Sequence, residues 1–216
     1  MMDQCKFLND LFNFVSISNI KLLVINLRNI EKYLKNKNFQ IHSSLVREFL
    51  AEILGTMIMV TFGLSTGAQY TFFKRDDPNN IDFLSINFGA GFGVTIAVLI
   101  VGKASGAHLS PAISFSMFLL GRMTLIRFLV YCLAQTIGAF LAALLVFVLY
   151  FDMLQTYGDA MYSLDTAGIF ATYPNKNLSS FGGFFDQTVG TAILGFLFLF
   201  YLYYAQVFFK VLNSFK

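Results

Sequence analysis

Tryptophan is absent from this chain, and charged residues make up only 12% of it. Together with 56% hydrophobic residues and a mean hydropathy of +0.66, this scarcity of charge excludes an ordinary soluble domain and favours a lipid environment. Without Trp, an aromatic belt at the membrane surface has to use Tyr, with Lys or Arg as further anchors. The candidates nearest to the ends of apolar runs are Tyr70, Tyr150 and Tyr204.

Cysteine is also scarce, which limits the possible covalent and metal chemistry. The two cysteines, Cys5 and Cys132, are too few and too far apart to indicate a disulfide framework or a metal site, so we interpret them as ordinary thiols. Near the N-terminus, Asp3, Asp10 and the basic series at 21–37 interrupt the apolar residues, and no small-residue cleavage site follows. This pattern argues against a cleaved signal peptide.

Four apolar runs are long enough to cross about 30 Å of hydrocarbon, which takes about 20 helical residues. They cover residues 45–70, 83–102, 126–151 and 184–209. A fifth run, 110–120, has about half the required length and ends at Gly121, which favours a re-entrant half-helix. We therefore predict an all-α membrane protein with four spanning helices and one re-entrant half-helix.

The distribution of basic residues predicts the orientation of this bundle. Twelve of the fifteen Lys and Arg residues lie before or at the start of the first run, around the link between the second and third, or after the fourth. The positive-inside rule then places both termini in the cytoplasm, which agrees with an even number of crossings. We predict a cytoplasmic segment at 1–44, a membrane domain at 45–209 and a short cytoplasmic tail at 210–216. The stretch 1–42 is compatible with a surface helix.

The sequence also contains an Asn-Leu-Ser sequon in the loop that this topology places outside. Asn177 is therefore a glycosylation candidate.

The link between the second run and the half-helix carries the strongest local signals. Gly106 permits a tight turn, Ser110 is a good N-cap, and Pro111 suits the first position of a helix. Non-helical backbone at membrane depth is tolerated only where it packs in protein or lines a water-filled cavity. We therefore predict that the carbonyls of Gly106, Ala107 and His108 line a pore, while the positive end of the half-helix opposes cations and protons.

At these residues the sequence resembles the aquaporin family, in whose first half-helix Asn-Pro-Ala stands in the place of Ser110-Pro111-Ala112. The resemblance extends from about residue 45 to about residue 199. Further segments similar to the family are Ala51-Glu52, Leu54-Gly55-Thr56 and Phe62-Gly63 in the first span and 134–140 in the third. Residues 168–174 and Phe185-Asp186-Gln187 are similar to the outer loop and fourth span of the glycerol-conducting branch of the family. The resemblance implies a passive aquaglyceroporin-type channel for water, glycerol and other small polyols, assembled as a homo- or hetero-oligomer, by family resemblance a tetramer, in the plasma membrane. No nucleic-acid partner is implied.

The resemblance also assigns roles to individual residues. The implied pore-lining residues are Gly106, Ala107, His108, Ser110, Pro111 and Ala112. Ala90 stands where the family has a large aromatic residue in its outer filter, which implies a wider and less apolar constriction. Glu52 is implied to brace the re-entrant loop, with Gln187 as a second structural support; a simpler acid near the interface remains the alternative for Glu52. Because Ser110 has a shorter reach than Asn and only one hydroxyl proton, we expect an altered rate or selectivity.

After Leu199 the sequence departs from the family pattern. The fifth and sixth spans, the second Asn-Pro-Ala half-helix and the filter arginine of the family do not occur in it. Inverted-repeat transport proteins place their site where the two repeats meet, so we expect that one repeat plus one span does not enclose a pore alone. The alternative function is a non-conducting, truncated isoform that associates with full-length channel subunits. Antiparallel pairing of two copies is a third idea, which their identical topology makes difficult.

Enzymatic and metal-binding functions have little support in the sequence. No cluster of acid, base and nucleophile lies in the spans, which argues against an enzyme. His108 has no second His, Cys or carboxylate at ligand spacing, so we predict no metal site and no cofactor. The glycines at Gly89, Gly91 and Gly93 lack the βαβ surroundings of a dinucleotide-binding motif. Like Gly63 and the other small residues at four-residue spacing, they are better explained by close helix packing.

Overall fold

A computed structural model of the chain describes residues 43–76, 83–156 and 163–214, together with Ile25. By its internal contacts the chain divides into two units, Met1–Ser43 and Ser44–Lys216. Nearly all of the first unit lies outside the described residues, as do Cys5 and the predicted surface helix. The cytoplasmic assignment of this segment therefore stays a prediction.

The second unit is built from helices, and no strand occurs among its described residues. The helices are α1 (Ser44–Asp76), α2 (Phe83–Ser105), α3 (Pro111–Leu119), α4 (Leu125–Leu149), α5 (Phe151–Thr156), α6 (Leu164–Phe170) and α7 (Ser180–Ser214). Four of these, α1, α2, α4 and α7, are long and apolar enough to cross a membrane, whereas α3 has only nine residues. The predicted all-α fold with four spans and one half-helix is confirmed.

Most of the helices extend beyond the apolar runs that predicted them. Helix α1 continues past the predicted end at residue 70, α2 includes Ser105, and α7 begins at Ser180 and continues beyond residue 209. Backbone hydrogen bonding propagates a helix through polar residues once it has formed, so the end of an apolar run does not have to end the helix. As a result, helical structure covers most of the proposed tail at 210–216.

Two short helices were not predicted. The third apolar run divides at Tyr150, the C-cap of α4, and continues as α5. Helix α6 begins with a capping box in which the Ser163 hydroxyl accepts from the amide of Thr166 and the Thr166 hydroxyl accepts from the amide of Ser163. Such reciprocal bonding satisfies two amides at a helix start.

Helix α1 is the centre of the bundle and packs against α2, α4 and α6. The helices approach closely at glycines. A Cβ atom at Gly138 of α4 would lie 2.5 Å from the carbonyl oxygen of Ile53, and one at Gly93 of α2 would lie 2.6 Å from the Cβ of Phe62. Among the described residues, an added Cβ at Gly63, Gly67 or Gly91 meets nothing within 4 Å, so the predicted close packing is not seen at these glycines. Spacing alone did not reveal which small residues face a neighbouring helix.

Two apolar clusters stabilise this arrangement. One consists of Ala51, Ala97, Val101, Ala107 and Leu109, so the link between α2 and α3 packs on α1 and α2. The other joins α1 to the two short helices through Ala68, Phe72, Leu154 and Ile169. Burial of these side chains anchors both the link and the connection around α6.

We predict that Gly138→Ala destabilises the bundle. The new methyl group would meet the backbone of Ile53 and Met57 rather than a flexible side chain, so α1 and α4 would have to separate. The expected loss is about 1–3 kcal/mol in the free energy of unfolding. Denaturation of the chain in detergent micelles checks this expectation.

The matched control is Gly190→Ala in α7, where an added Cβ has open space. Its expected effect is zero or a gain, because alanine favours a helix by up to about 1 kcal/mol over glycine. Equal unfolding midpoints for the two variants would contradict close packing at Gly138.

Candidate functional site

The link between α2 and α3 has an unusual backbone conformation. Gly106 has φ +88°, and two residues with side chains, Ala107 and Leu109, also have positive φ values of 50° and 56°. Positive φ is uncommon outside glycine and persists only where surrounding contacts enforce it. We call residues 105–110 the re-entrant loop; its geometry requires a strong external constraint.

Glu52 supplies that constraint from inside α1, where its side chain is fully buried. Its Oε1 atom accepts from the Ser105 hydroxyl at 2.6 Å and from the His108 amide at 3.0 Å. Its Oε2 atom accepts from the Leu109 amide at 2.8 Å and from the Gln135 side-chain amide at 2.9 Å. An ionised carboxylate is an acceptor with about four lone-pair sites, and four donors occupy them here.

Four consecutive amides of the loop, from Gly106 to Leu109, have acceptors within the protein. Gly106 donates to the Gly102 carbonyl at 2.9 Å, continuing the ladder of α2, and Ala107 donates to the Ser105 hydroxyl at 3.1 Å. The next two amides, of His108 and Leu109, are those held by Glu52. These hydrogen bonds explain how irregular backbone is stable among spanning helices, where an unpaired polar group has a high cost in free energy.

A second set of polar contacts joins the loop to the half-helix. The Gln135 side chain uses its two amide protons on Glu52 and on the Ser114 hydroxyl, the latter at 3.0 Å. The Ser114 oxygen also lies 3.1 Å from Nδ1 of His108. The His108 ring therefore has a fixed orientation, determined by a hydroxyl of α3 and a carboxamide of α4.

Tyr131 and its neighbours contact the loop on the side of Ser105. The Tyr131 hydroxyl donates to the carbonyl of Ser105 at 2.8 Å and lies 3.3 Å from Oε2 of Glu48. Arg127 forms an ion pair with the other oxygen of Glu48 at 3.3 Å. The Tyr131 ring also packs on the His108 ring, with centroids 5.0 Å apart. Tyr131 thus contacts both ends of the segment from Ser105 to His108.

The half-helix α3 begins as its local sequence predicts. Ser110 is the N-cap in an extended conformation, and its hydroxyl accepts from the Ala112 amide at 3.3 Å. Pro111 occupies the first helical position. The positive end of the α3 dipole therefore lies at Ser110, directly after the re-entrant loop.

A cavity of about 730 Å³ separates the half-helix from α7. Its described lining is a mixture of hydroxyl, carboxamide and apolar groups without a charged side chain, contributed by Ala112, Phe115, Ser116, Phe184, Gln187, Thr188, Thr191, Ala192, Gly195, Phe196 and Leu199. The Ser116 hydroxyl donates to the Ala112 carbonyl at 3.0 Å. The cavity surface is mostly apolar, with a few neutral polar groups.

The other predicted site residues lie apart from the loop. Ala90 is half-buried in α2. Gln187 is exposed, lines the cavity and donates to the Asp186 carboxylate at 3.2 Å; the carboxamide that reaches Glu52 belongs to Gln135 instead. Asn177 is exposed in the turn before α7. The proposed roles of Ala90, Gln187 and Asn177 stay predictions.

The contributions of α4 and of Glu48 were not predicted from the sequence. Arg127, Tyr131 and Gln135 follow one another at four-residue spacing on a largely apolar helix, and Glu48 precedes Glu52 by the same interval. Four-residue spacing places side chains on one helix face, so this repetition was an available signal. Among the described residues, no group of three His, Cys, Asp or Glu side chains is arranged to hold a metal ion.

We predict that Glu52→Gln destabilises the loop. Glutamine replaces one acceptor oxygen by a donor, so at least one of the four donors would face another donor in a buried position. The expected loss is about 1–3 kcal/mol in the free energy of unfolding, measured by denaturation in micelles. Asp186→Asn is the matched control on an exposed carboxylate and should stay within about 0.5 kcal/mol of the parent chain. Equal stability of both variants would remove Glu52 as the principal constraint.

Comparison with known proteins agrees with this architecture. The profile of the major intrinsic protein family matches residues 40–207. Mouse aquaporin-7 is 38% identical over 158 residues, which cover 71% of this chain and 51% of that protein. Human aquaporin-9 is 38% identical over 168 residues, or 74% of this chain and 56% of its own length. The chain thus spans about half the length of the curated relatives it matches.

A solved structure gives the same result in three dimensions. The aquaglyceroporin from Plasmodium falciparum superimposes with a TM-score of 0.56 at 28% identity, covering 65% of this chain and 54% of that one. At the level of the family, these relatives are aquaporins and not enzymes. The family and the four apolar helices indicate an integral membrane protein. The chain belongs to the major intrinsic protein family, the aquaporins, and resembles its aquaglyceroporin branch.

Proposed function

We propose that this chain contributes to a passive channel for water and small neutral solutes such as glycerol, of the aquaglyceroporin type. The observation that carries the proposal is the re-entrant loop, whose constrained backbone leads directly into the positive end of a half-helix inside the bundle. Irregular backbone at this depth is tolerated where it packs in protein or lines a water-filled cavity, and the proposal assigns the loop carbonyls to such a cavity. The helix dipole at Ser110 disfavours cations and protons there.

The cavity between α3 and α7 supports neutral solutes over ions. Its described lining contains no charged side chain, while Ser116, Gln187 and Thr191 provide polar groups beside Phe115 and Phe196. A polyol presents hydroxyl groups on one side and C–H groups on the other, so a mixed lining matches it better than a purely polar one.

The proposal includes the location and assembly of the chain. Both termini are cytoplasmic, the membrane is the plasma membrane, and the channel is an oligomer.

Osmotic swelling of proteoliposomes tests conduction directly. If copies of the chain assemble into the proposed oligomer, vesicles that contain it should swell in a glycerol gradient faster than empty vesicles. Ser110→Ala should reduce the rate by removing both the N-cap and a hydroxyl donor. The matched control is Ser163→Ala, which removes the N-cap of α6 outside the loop. Swelling no faster than that of empty vesicles would reject conduction by this chain alone.

The proposed filter position gives a second prediction. Ala90→Phe should narrow the constriction, so glycerol flux should fall several-fold more than water flux. Leu99→Phe is the control on the same helix, because Leu99 is 79% exposed and its enlargement leaves the interior unchanged. Equal loss of glycerol and water flux in Ala90→Phe would argue against a filter at this position.

Helix α7 favours a second candidate function, in which the chain associates with full-length channel subunits. Asp186, Gln187 and Thr188 are exposed within a helix apolar enough to cross a membrane. Polar side chains inside a membrane almost always face protein or water rather than lipid. Co-expression with a full-length aquaporin distinguishes the two functions, because an assembling, non-conducting chain changes flux only when that partner is present.

A further inference from the structure

The Tyr131 hydroxyl has one proton and two acceptors within reach. The Ser105 carbonyl lies at 2.8 Å and the Glu48 carboxylate at 3.3 Å, so the shorter bond, to Ser105, holds the proton in this structure. Ser105 is the last residue of α2, and carbonyls in the last turn of a helix have no partner within the helix. Tyr131 therefore satisfies an orphan carbonyl at the point where the re-entrant loop begins.

The competing acceptor would ordinarily be stronger. A hydrogen bond to a carboxylate is roughly twice as strong as one to a neutral carbonyl, and Glu48 is nearly buried. Arg127 changes this balance, because its guanidinium pairs with Glu48 at 3.3 Å and compensates the charge. The Arg127 side chain is itself 45% exposed, so the ion pair lies between the bundle interior and its surroundings.

We propose that Tyr131 is a positioning residue for the re-entrant loop, and that the Arg127–Glu48 ion pair keeps its hydroxyl proton directed to Ser105. Without the ion pair, the proton turns to Glu48 and the Ser105 carbonyl loses its donor. The Ser105 hydroxyl bonds Glu52 at 2.6 Å, and the Tyr131 ring packs on His108. Loss of the Tyr131 bond consequently loosens the amides of His108 and Leu109.

The importance of Tyr131 and the ion pair for permeation rests on the proposed function. Their effect on the loop conformation does not depend on it.

Hydrogen exchange of the His108 and Leu109 amides reports opening of the loop without any measurement of flux. It is measured by mass spectrometry on the full chain in lipid nanodiscs. Tyr131→Phe should accelerate this exchange by about 2- to 10-fold, the effect of one neutral hydrogen bond. Exchange within residues 137–146 of α4 should stay unchanged, which separates loop opening from general unfolding. Tyr173→Phe, in the exposed loop before α7, is the matched control.

The ion pair gives a sharper test, which a merely structural role would not reproduce. Arg127→Gln should accelerate loop exchange in the parent chain and have no additional effect in the Tyr131→Phe background. Adding Glu48→Gln to Arg127→Gln should restore slow exchange, because a neutral carboxamide no longer draws the hydroxyl proton from Ser105.

Three results would overturn the proposal: unchanged exchange in Tyr131→Phe, further acceleration by Arg127→Gln in that background, or no rescue by Glu48→Gln. The fate of the proposed function is separate from these results. A chain that gives no glycerol flux but shows the full exchange pattern retains the positioning role of Tyr131 and loses only the conduction proposal.

Discussion

The bonds between one buried carboxylate and a bent stretch of backbone determine the architecture of this protein. Glu52 binds two main-chain amides that no helix ladder satisfies, together with the hydroxyl that caps a third. Gly55, one turn further along α1, allows Leu109 and Val101 to approach so closely that a Cβ atom there would lie 2.6 Å from each. The start of the half-helix follows from these contacts, because a loop left without them would bury unpaired amides.

Helix α4 complements Glu52 from the opposite side and combines two functions on one face. Its polar groups at Arg127, Tyr131 and Gln135 meet the loop and α1, and Gly138 then brings the two backbones into contact. Close approach and hydrogen bonding thus occur on the same face of α4, within about three turns of each other. The side-chain contacts of α4 described here therefore concentrate around the loop, whereas the described residues of α7 are mostly exposed.

Local chemistry made part of this structure predictable. Run length indicated the four spans, and Gly106, Ser110 and Pro111 indicated a helix that starts inside the membrane, since each acts through its own backbone preference. The partners of Glu52 were not predictable in this way, because the role of Gln135 depends on which faces of α1 and α4 meet. The same limitation explains why spacing predicted close packing at Gly63 that the described residues do not show. Helix α6 was not predicted because it has only seven residues, too few to give a clear hydrophobic period.

Two of the four bonds that Glu52 accepts come from peptide groups of the loop rather than from side chains. Because Glu52 contacts the amides of His108 and Leu109, the grip does not depend on which residue stands at either position, provided that the residue tolerates the backbone angles. Substitutions in the loop can therefore change the groups that face a permeating molecule while the bonds from these amides to Glu52 remain. Ser110, where the resemblance to the aquaporins implies an asparagine, lies directly after these two residues: its hydroxyl caps the half-helix, and it is the side chain at the tip of that helix.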